Sequence, residues 1–155
     1  MIKETIVGVI SDTHGLLRPE AVAALNGSDV IIHAGDVGAP EILEALRRIA
    51  PLHAVRGNVD TQPWARELPL SETVEIGGVM VFLLHDLDDL DLSPAAAGFA
   101  AVIYGHSHQP EMESRKGVLY FNPGSAGPRR FKLPVSVGRL RIRDRVVKAE
   151  LIELG

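Results

Sequence analysis

The sequence predicts an α/β domain, and three observations carry that prediction. Short β-branched runs alternate with longer segments of helical apolar spacing through the first two-thirds of the chain. After Tyr104 the pattern changes to hairpins. The 155 residues, 46% of them hydrophobic, suit one domain with its own core, since domains cluster near roughly 100–150 residues and bury about 70% of their unfolded surface. The expectation is a single domain over residues 1–155, with no internal repeat and no linker.

The first strand is expected at Thr5 to Ile10, and a helix from near Pro19, whose fixed φ suits the first helical position. Asp29 to His33 reads as the second strand. Pro40 opens a helix with Ile42, Leu43, Leu46 and Ile49 on one face, and Pro51 ends it. A third strand follows at Leu52 to Val55. The strands Thr73 to Ile76 and Val79 to Leu84 are joined by Gly77-Gly78, a hairpin signal. Ser93-Pro94 pairs an N-cap with a first-turn proline, so a short helix precedes the strand Ala101 to Tyr104. Two hairpins close the chain: Met112 to Phe121, turning at Lys116-Gly117, and Val135 to Ile152, turning near Arg143-Asp144-Arg145. The one candidate for a mobile loop is Gly124 to Pro134, rich in Gly, Pro and Arg.

Composition excludes several functions. The absence of cysteine rules out disulfides, thiolate zinc sites and a cysteine nucleophile, so any metal must be held by His, Asp, Glu or Asn. A net charge of −4 and 5% aromatic residues argue against a polymeric nucleic-acid ligand or an anionic membrane. The longest apolar run, Val79 to Leu84, falls far short of the roughly 20 residues of a membrane helix. No signal-like apolar segment follows Met1, and a cytoplasmic location is the expectation.

The chemistry lies directly after the strands. Their ends carry Ser11-Asp12-Thr13-His14, Gly35-Asp36, Arg56-Gly57-Asn58-Val59-Asp60, His85-Asp86 and Gly105-His106-Ser107-His108. In open α/β sheets the carboxyl ends of strands line the binding crevice, so these loops should converge. Together they supply Asp12, Asp36, Asn58, His14, His85, His106 and His108. Four imidazoles with carboxylate and amide oxygens are too nitrogen-rich for an all-oxygen magnesium or calcium site and suit manganese, iron, zinc, nickel or cobalt. Seven ligands exceed what one such ion takes, so two divalent ions sharing a carboxylate are expected, a site suited to a phosphoester anion. His33, on an apolar strand, reads instead as a hydrogen-bonded core histidine, and His53 as structural. The run Asp86, Asp88, Asp89, Asp91 reads as a solvated loop.

These loops resemble the signature of the calcineurin-like metallophosphoesterase superfamily: Asp12-Thr13-His14, Gly35-Asp36, Gly57-Asn58-Val59-Asp60, His85 and Gly105-His106-Ser107-His108. Asn122-Pro123-Gly124-Ser125 extends the resemblance to its small single-domain bacterial and archaeal phosphodiesterase branch. The resemblance implies a four-layer αββα sandwich of two mixed β-sheets flanked by helices. It also implies one metal on Asp12, His14 and His108, a second on Asn58, His85 and His106, and Asp36 bridging them. Manganese is the first expectation among the transition metals. Asp36, Asn58 and His14 are the residues expected at the reacting phosphate, with a metal-bridging hydroxide attacking in line.

Two positions depart from the family pattern. Val59 stands where many members carry a histidine thought to protonate the leaving group, and Asp60, which can orient that histidine, is left to cap a turn. Asp86 stands where many relatives have glycine. Arg56, Arg129 and Arg130 are candidate phosphate contacts, because guanidinium clamps phosphate oxygens, and Gly124-Ser125 offers backbone N–H groups. The implied function is phosphodiester hydrolysis on a small phosphodiester or nucleotide. The alternatives are a protein-interaction scaffold like the retromer subunit that resembles this branch, and a nucleotide phosphatase. Assembly as a homo-oligomer is left open.

Overall fold

The computed structural model describes residues 3–154. Ten strands form two five-stranded sheets. The first has the order β10-β9-β1-β2-β3, from β1 (Thr5–Ile10), β2 (Val30–His33), β3 (Leu52–Ala54), β9 (Ser136–Arg143) and β10 (Val146–Glu153). The second has the order β4-β5-β6-β8-β7, from β4 (Ser71–Ile76), β5 (Val79–Leu84), β6 (Phe99–Ile103), β7 (Glu111–Arg115) and β8 (Val118–Asn122). Each sheet holds a parallel trio, β1-β2-β3 and β5-β6-β8, bordered by antiparallel strands. The carboxyl ends of these six parallel strands give the loops that carry the polar signature residues.

Alternation along the strands decides the layers. Val7, Val9, Ile32, Val81, Leu83, Ile103, Phe121 and Leu140 point between the sheets and form the central core. Phe121 needs room that β9 provides: a Cβ on Gly138 would collide with its ring, which explains a glycine inside a strand. The other face of the first sheet is covered by α1 (Pro19–Leu25) and α2 (Pro40–Arg47), whose Ala21, Leu25, Ile42, Leu43 and Leu46 are buried. The outer face of the second sheet has a thin cover of α3 (Pro94–Ala97) and a 3-10 turn, Leu87–Asp89, whose Leu87 and the adjacent Leu90 pack on Phe82, Leu84, Val102 and Tyr104. The αββα sandwich therefore stands, with a fourth layer only one turn thick.

Most expected boundaries hold within two residues. The helix after Pro40 stops at Arg47, so Ile49 lies in the turn beyond it, short of Pro51. Two 3-10 turns, Pro63–Glu67 and Leu87–Asp89, occupy segments where no element was expected. Gly124 to Gly127, the start of the candidate mobile loop, is buried, with Ala126 N–H donating to the Ser11 carbonyl at 3.0 Å. Only residues 128–132 stand exposed. Among the described residues no helix is long and apolar enough to cross a membrane.

Candidate metal centre

The five loops converge as expected. Asp12, His14, Asp36, His106 and His108 all adopt left-handed backbone, with φ between 47° and 73°. Asp and His enter this region more readily than most non-glycine residues, yet each such residue costs on the order of 1–3 kcal/mol and persists only where its surroundings over-determine it. The sharp turns let short loops aim side chains back over the strand ends.

The side chains meet acceptor to acceptor. Asp12 Oδ2 accepts from Ser11 Oγ at 2.6 Å and from His106 N–H at 3.2 Å, while its Oδ1 is buried with no hydrogen-bond partner. That orphan oxygen lies 3.7 Å from His14 Nε2, 3.4 Å from His108 Nε2 and 3.9 Å from His85 Nε2. Asp36 Oδ2 lies 3.1 Å from His85 Nε2 and 3.6 Å from His14 Nε2, touching one histidine of each expected ligand set. Asn58 Oδ1 faces both His85 Nε2, at 3.1 Å, and His106 Nδ1, at 3.2 Å. His14 and His108 point Nε2 at Nε2 across 3.2 Å. His85 Nδ1 donates to the Ala34 carbonyl at 2.7 Å, which leaves its Nε2 a lone pair when the ring is neutral. Converging lone pairs repel one another, and cations placed among them remove the conflict, so the residues fit divalent metal. Two groups place ligand atoms within 4.8 Å of one another: Asp12, His14 and His108, and Asp12, Asp36 and His85. The first matches one expected metal set, while the second includes Asp12 as well as Asp36.

Without cations the histidines share the burden unequally. The Asp12 carboxylate raises the His14 pKa against the cost of burial, with Asp36 adding to the effect. Burial opposes charge on His85 too, but Asp36 and Asp12 outweigh it and raise its pKa. His108 is pushed down, by burial above all. Burial works against ionising Asp36, yet His85 and the Val59 N–H hold its carboxyl below the usual range, at about 2.

Residues outside the ligand set hold these loops. Gly35 N–H donates to His33 Nδ1 at 3.1 Å, which leaves Nε2 to donate to Thr13 Oγ1 at 3.0 Å, and Thr13 donates on to the Val37 carbonyl at 2.7 Å. The fully buried His33 thus ties the Asp12 loop to the Asp36 loop as one neutral tautomer, the structural role expected of it. Asp60 does more than cap a turn. Its buried carboxylate accepts from Val37, Gly38 and Gly57 N–H at 3.1, 3.0 and 2.9 Å, joining the Asn58 loop to the Asp36 loop. Asn122 donates to the Gly105 carbonyl and Ser107 Oγ, and Ser125 Oγ to the Asp12 carbonyl. His53 pairs with Glu72 at 3.1 Å, outside the set.

The candidate substrate contacts divide. Arg56 lines a cleft of about 500 Å³ that also takes in Asn58 and His85, and its Nε is buried without a partner. Arg130 is exposed, and its positive charge works against protonation of both His14 and His108. Arg129 is exposed. Val59 is 46% exposed and gives its N–H to Asp36 Oδ1 at 3.0 Å, so its side chain stands at the rim. Asp86 Oδ2 lies 3.6 Å from His106 Nε2, so the first residue of the acidic run faces an expected ligand while staying partly open to solvent.

Comparison with known proteins agrees with this geometry. A family model described as the calcineurin-like phosphoesterase superfamily domain matches residues 6–145. The chain is 37% identical to a probable metallophosphoesterase of Methanothermobacter thermautotrophicus, over 97% of this chain and 93% of that one. It is 30% identical to phosphodiesterase YfcE of Escherichia coli, over 84% of each. Among solved structures, a novel archaeal phosphodiesterase superposes with a TM-score of 0.81 at 23% identity, covering 97% of this chain and all of that one. Zinc-bound Vps29 from Entamoeba histolytica does so with a TM-score of 0.74 at 23% identity and the same coverage. With the matched model spanning most of its length and the loops meeting as that signature requires, the chain belongs to the calcineurin-like phosphoesterase superfamily.

Proposed function

We propose that this chain, a phosphoester hydrolase by family, cleaves small phosphodiesters at a centre of two divalent transition-metal ions, manganese foremost, with nickel, iron, zinc or cobalt suited to the same ligands. The convergence of unshared acceptor atoms on one point carries the reading. Asp12, His14 and His108 would hold one ion and Asn58, His85 and His106 the other, with Asp36 between them. When bound, such ions would supply a hydroxide nucleophile from water and would offset the charge on the phosphate oxygens.

The chain's own residues set the rest. The Val59 N–H fixes Asp36 Oδ1 and leaves Oδ2 for the centre. Arg56 and Arg130 offer guanidinium groups to the non-bridging phosphate oxygens, and His14 and Asn58 border the reacting phosphate. A new oxygen–phosphorus bond forms as the ester bond breaks, and the departing alkoxide then needs a proton to leave as the alcohol. Valine at 59 cannot give one, so leaving groups that depart as stable anions should react best.

Chelation followed by titration with manganese tests this reading on bis-p-nitrophenyl phosphate. Turnover should return with about two ions per chain. The activated diester should exceed an alkyl phosphate monoester by roughly 100-fold or more in kcat/KM, the scale of a missing general acid. Equal rates would reject the role given to Val59, and no metal-dependent turnover would reject the enzyme in favour of an interaction scaffold.

A further inference from the structure

We propose that the cleft beside Asn58 and His85 receives the alcohol arm of phosphodiesters in which that arm carries an ammonium group, an inference that rests on the diesterase reading. The cleft, about 500 Å³, shares these two walls with the metal centre, so a group esterified to a phosphate at the centre has it as adjoining space. Its lining combines three chemistries. Arg56, with its unpartnered buried Nε, belongs to the end formed by Gly57 and Asn58 and suits the phosphate. Phe82 and Leu84 give an apolar wall against which methylene and methyl groups can lie, and the ring adds an attraction for a cation. Asp86, Asp89 and Asp91 line the same space.

The charge balance selects the arm. Three carboxylates against one guanidinium leave the cleft negative, so a second phosphate or a carboxylate on the arm is repelled. A cation is drawn in, and it also relieves the repulsion among the carboxylates. Asp86 already faces His106, whereas Asp89 and Asp91 are exposed and free of any role in the ligand network. The 3-10 turn at Leu87–Asp89 fixes this loop through Leu87 and Leu90, so the carboxylates are presented from a packed segment.

The test compares two esters of equal size on manganese-loaded protein: p-nitrophenyl phosphorylcholine and its neutral carbon isostere, p-nitrophenyl 3,3-dimethylbutyl phosphate. Both release p-nitrophenol, so the difference reports the arm alone. At low salt kcat/KM should favour the cationic ester about 5–30-fold, the scale of a few exposed charge contacts acting together. The ratio should fall toward one in D89N/D91N and at high salt. Calorimetry with phosphorylcholine and 3,3-dimethylbutyl phosphate gives a readout independent of turnover and should show the same order. Equal treatment of the two arms, or a preference that D89N/D91N leaves intact, overturns the inference. So does turnover of bis-p-nitrophenyl phosphate with neither test ester cleaved. If no diester is cleaved at all, the diesterase reading has failed instead, and the calorimetric comparison alone decides the cleft.

Discussion

Among the described residues, and apart from Phe131 in the exposed 128–132 loop, left-handed backbone at residues other than glycine gathers at the two opposite ends of the sandwich and is held there in opposite ways. At the far end Lys116, Asp144 and Arg145 adopt it in two-residue hairpin turns, all exposed, where turn geometry alone calls for positive φ. At the metal end Asp12, Asp36 and His108 adopt it while buried, and His14 and His106 beside them. There no hairpin ladder enforces the turn. His33, Asp60, Asn122 and Ser125 do so through buried hydrogen bonds to the loop backbones. Turn strain at the first end is a local cost that substitution can relieve. At the second it is held by a network, and changes to the network should be read out as metal affinity.

The sharpest break of this contrast is at Asp36. Replacing it with Asn keeps the shape and the left-handed backbone but removes the charge between the two ligand sets. Activity should fall by about 10³-fold or more, and bound metal should drop by one ion per chain or more on elemental analysis. Retained activity would move the shared ligand elsewhere, with Asp12 the next choice on geometry. Next in size is Asp60→Ala, which leaves three N–H groups without their partner, two of them buried. Manganese affinity should weaken about 10–100-fold, and stability should fall by about 2–4 kcal/mol in urea titration. Unchanged metal affinity would mean that the loops hold themselves.

His33 sharpens the comparison through pH. Burial, above all, lowers its pKa to about 4, against its ordinary value of 6.5. Between those values the unfolded chain binds a proton that the folded one refuses, so its contribution is complete above pH 6.5 and is lost as pH falls toward 4. Metal-free protein should lose about 3 kcal/mol of stability over that window on account of this residue. In His33→Gln the slope of the urea midpoint against pH should flatten, while a slope equal to wild type would place the titration elsewhere. The smallest effect belongs to the far end. Lys116→Asn relieves a strained turn and should add about 0.5 kcal/mol with turnover unchanged.

Much of this was legible before the structure because the ligand loops follow apolar strands directly, and parallel strands put such loops at one end. Asp12, His14, Asp36, Asn58, His85, His106 and His108 could be read from that rule with their side-chain chemistry. Asp60 could not. Its three partners are backbone N–H groups, which every residue has, so the sequence around Val37 and Gly38 holds no trace of the contact. The cleft escaped for a related reason. It lies between segments remote in sequence, from Arg56 to Asp91, and its acidic side looks like any solvated run until packing of Leu87 and Leu90 fixes the loop. Ile49 was misplaced because apolar spacing continues through the turn that follows α2. That turn buries the same face, with Ile49 and Ala50 N–H both donating to the Leu46 carbonyl at 3.0 and 3.3 Å.

The left-handed ligand residues have an evolutionary consequence. Asparagine tolerates this backbone as well as aspartate does. A single exchange at position 12 or 36 would remove one of the centre's two carboxylate charges and leave the loops, both sheets and the surface they present almost untouched. A lineage that once cut phosphoesters can therefore retire the chemistry without dismantling the architecture, and keep the surviving surface for recognition.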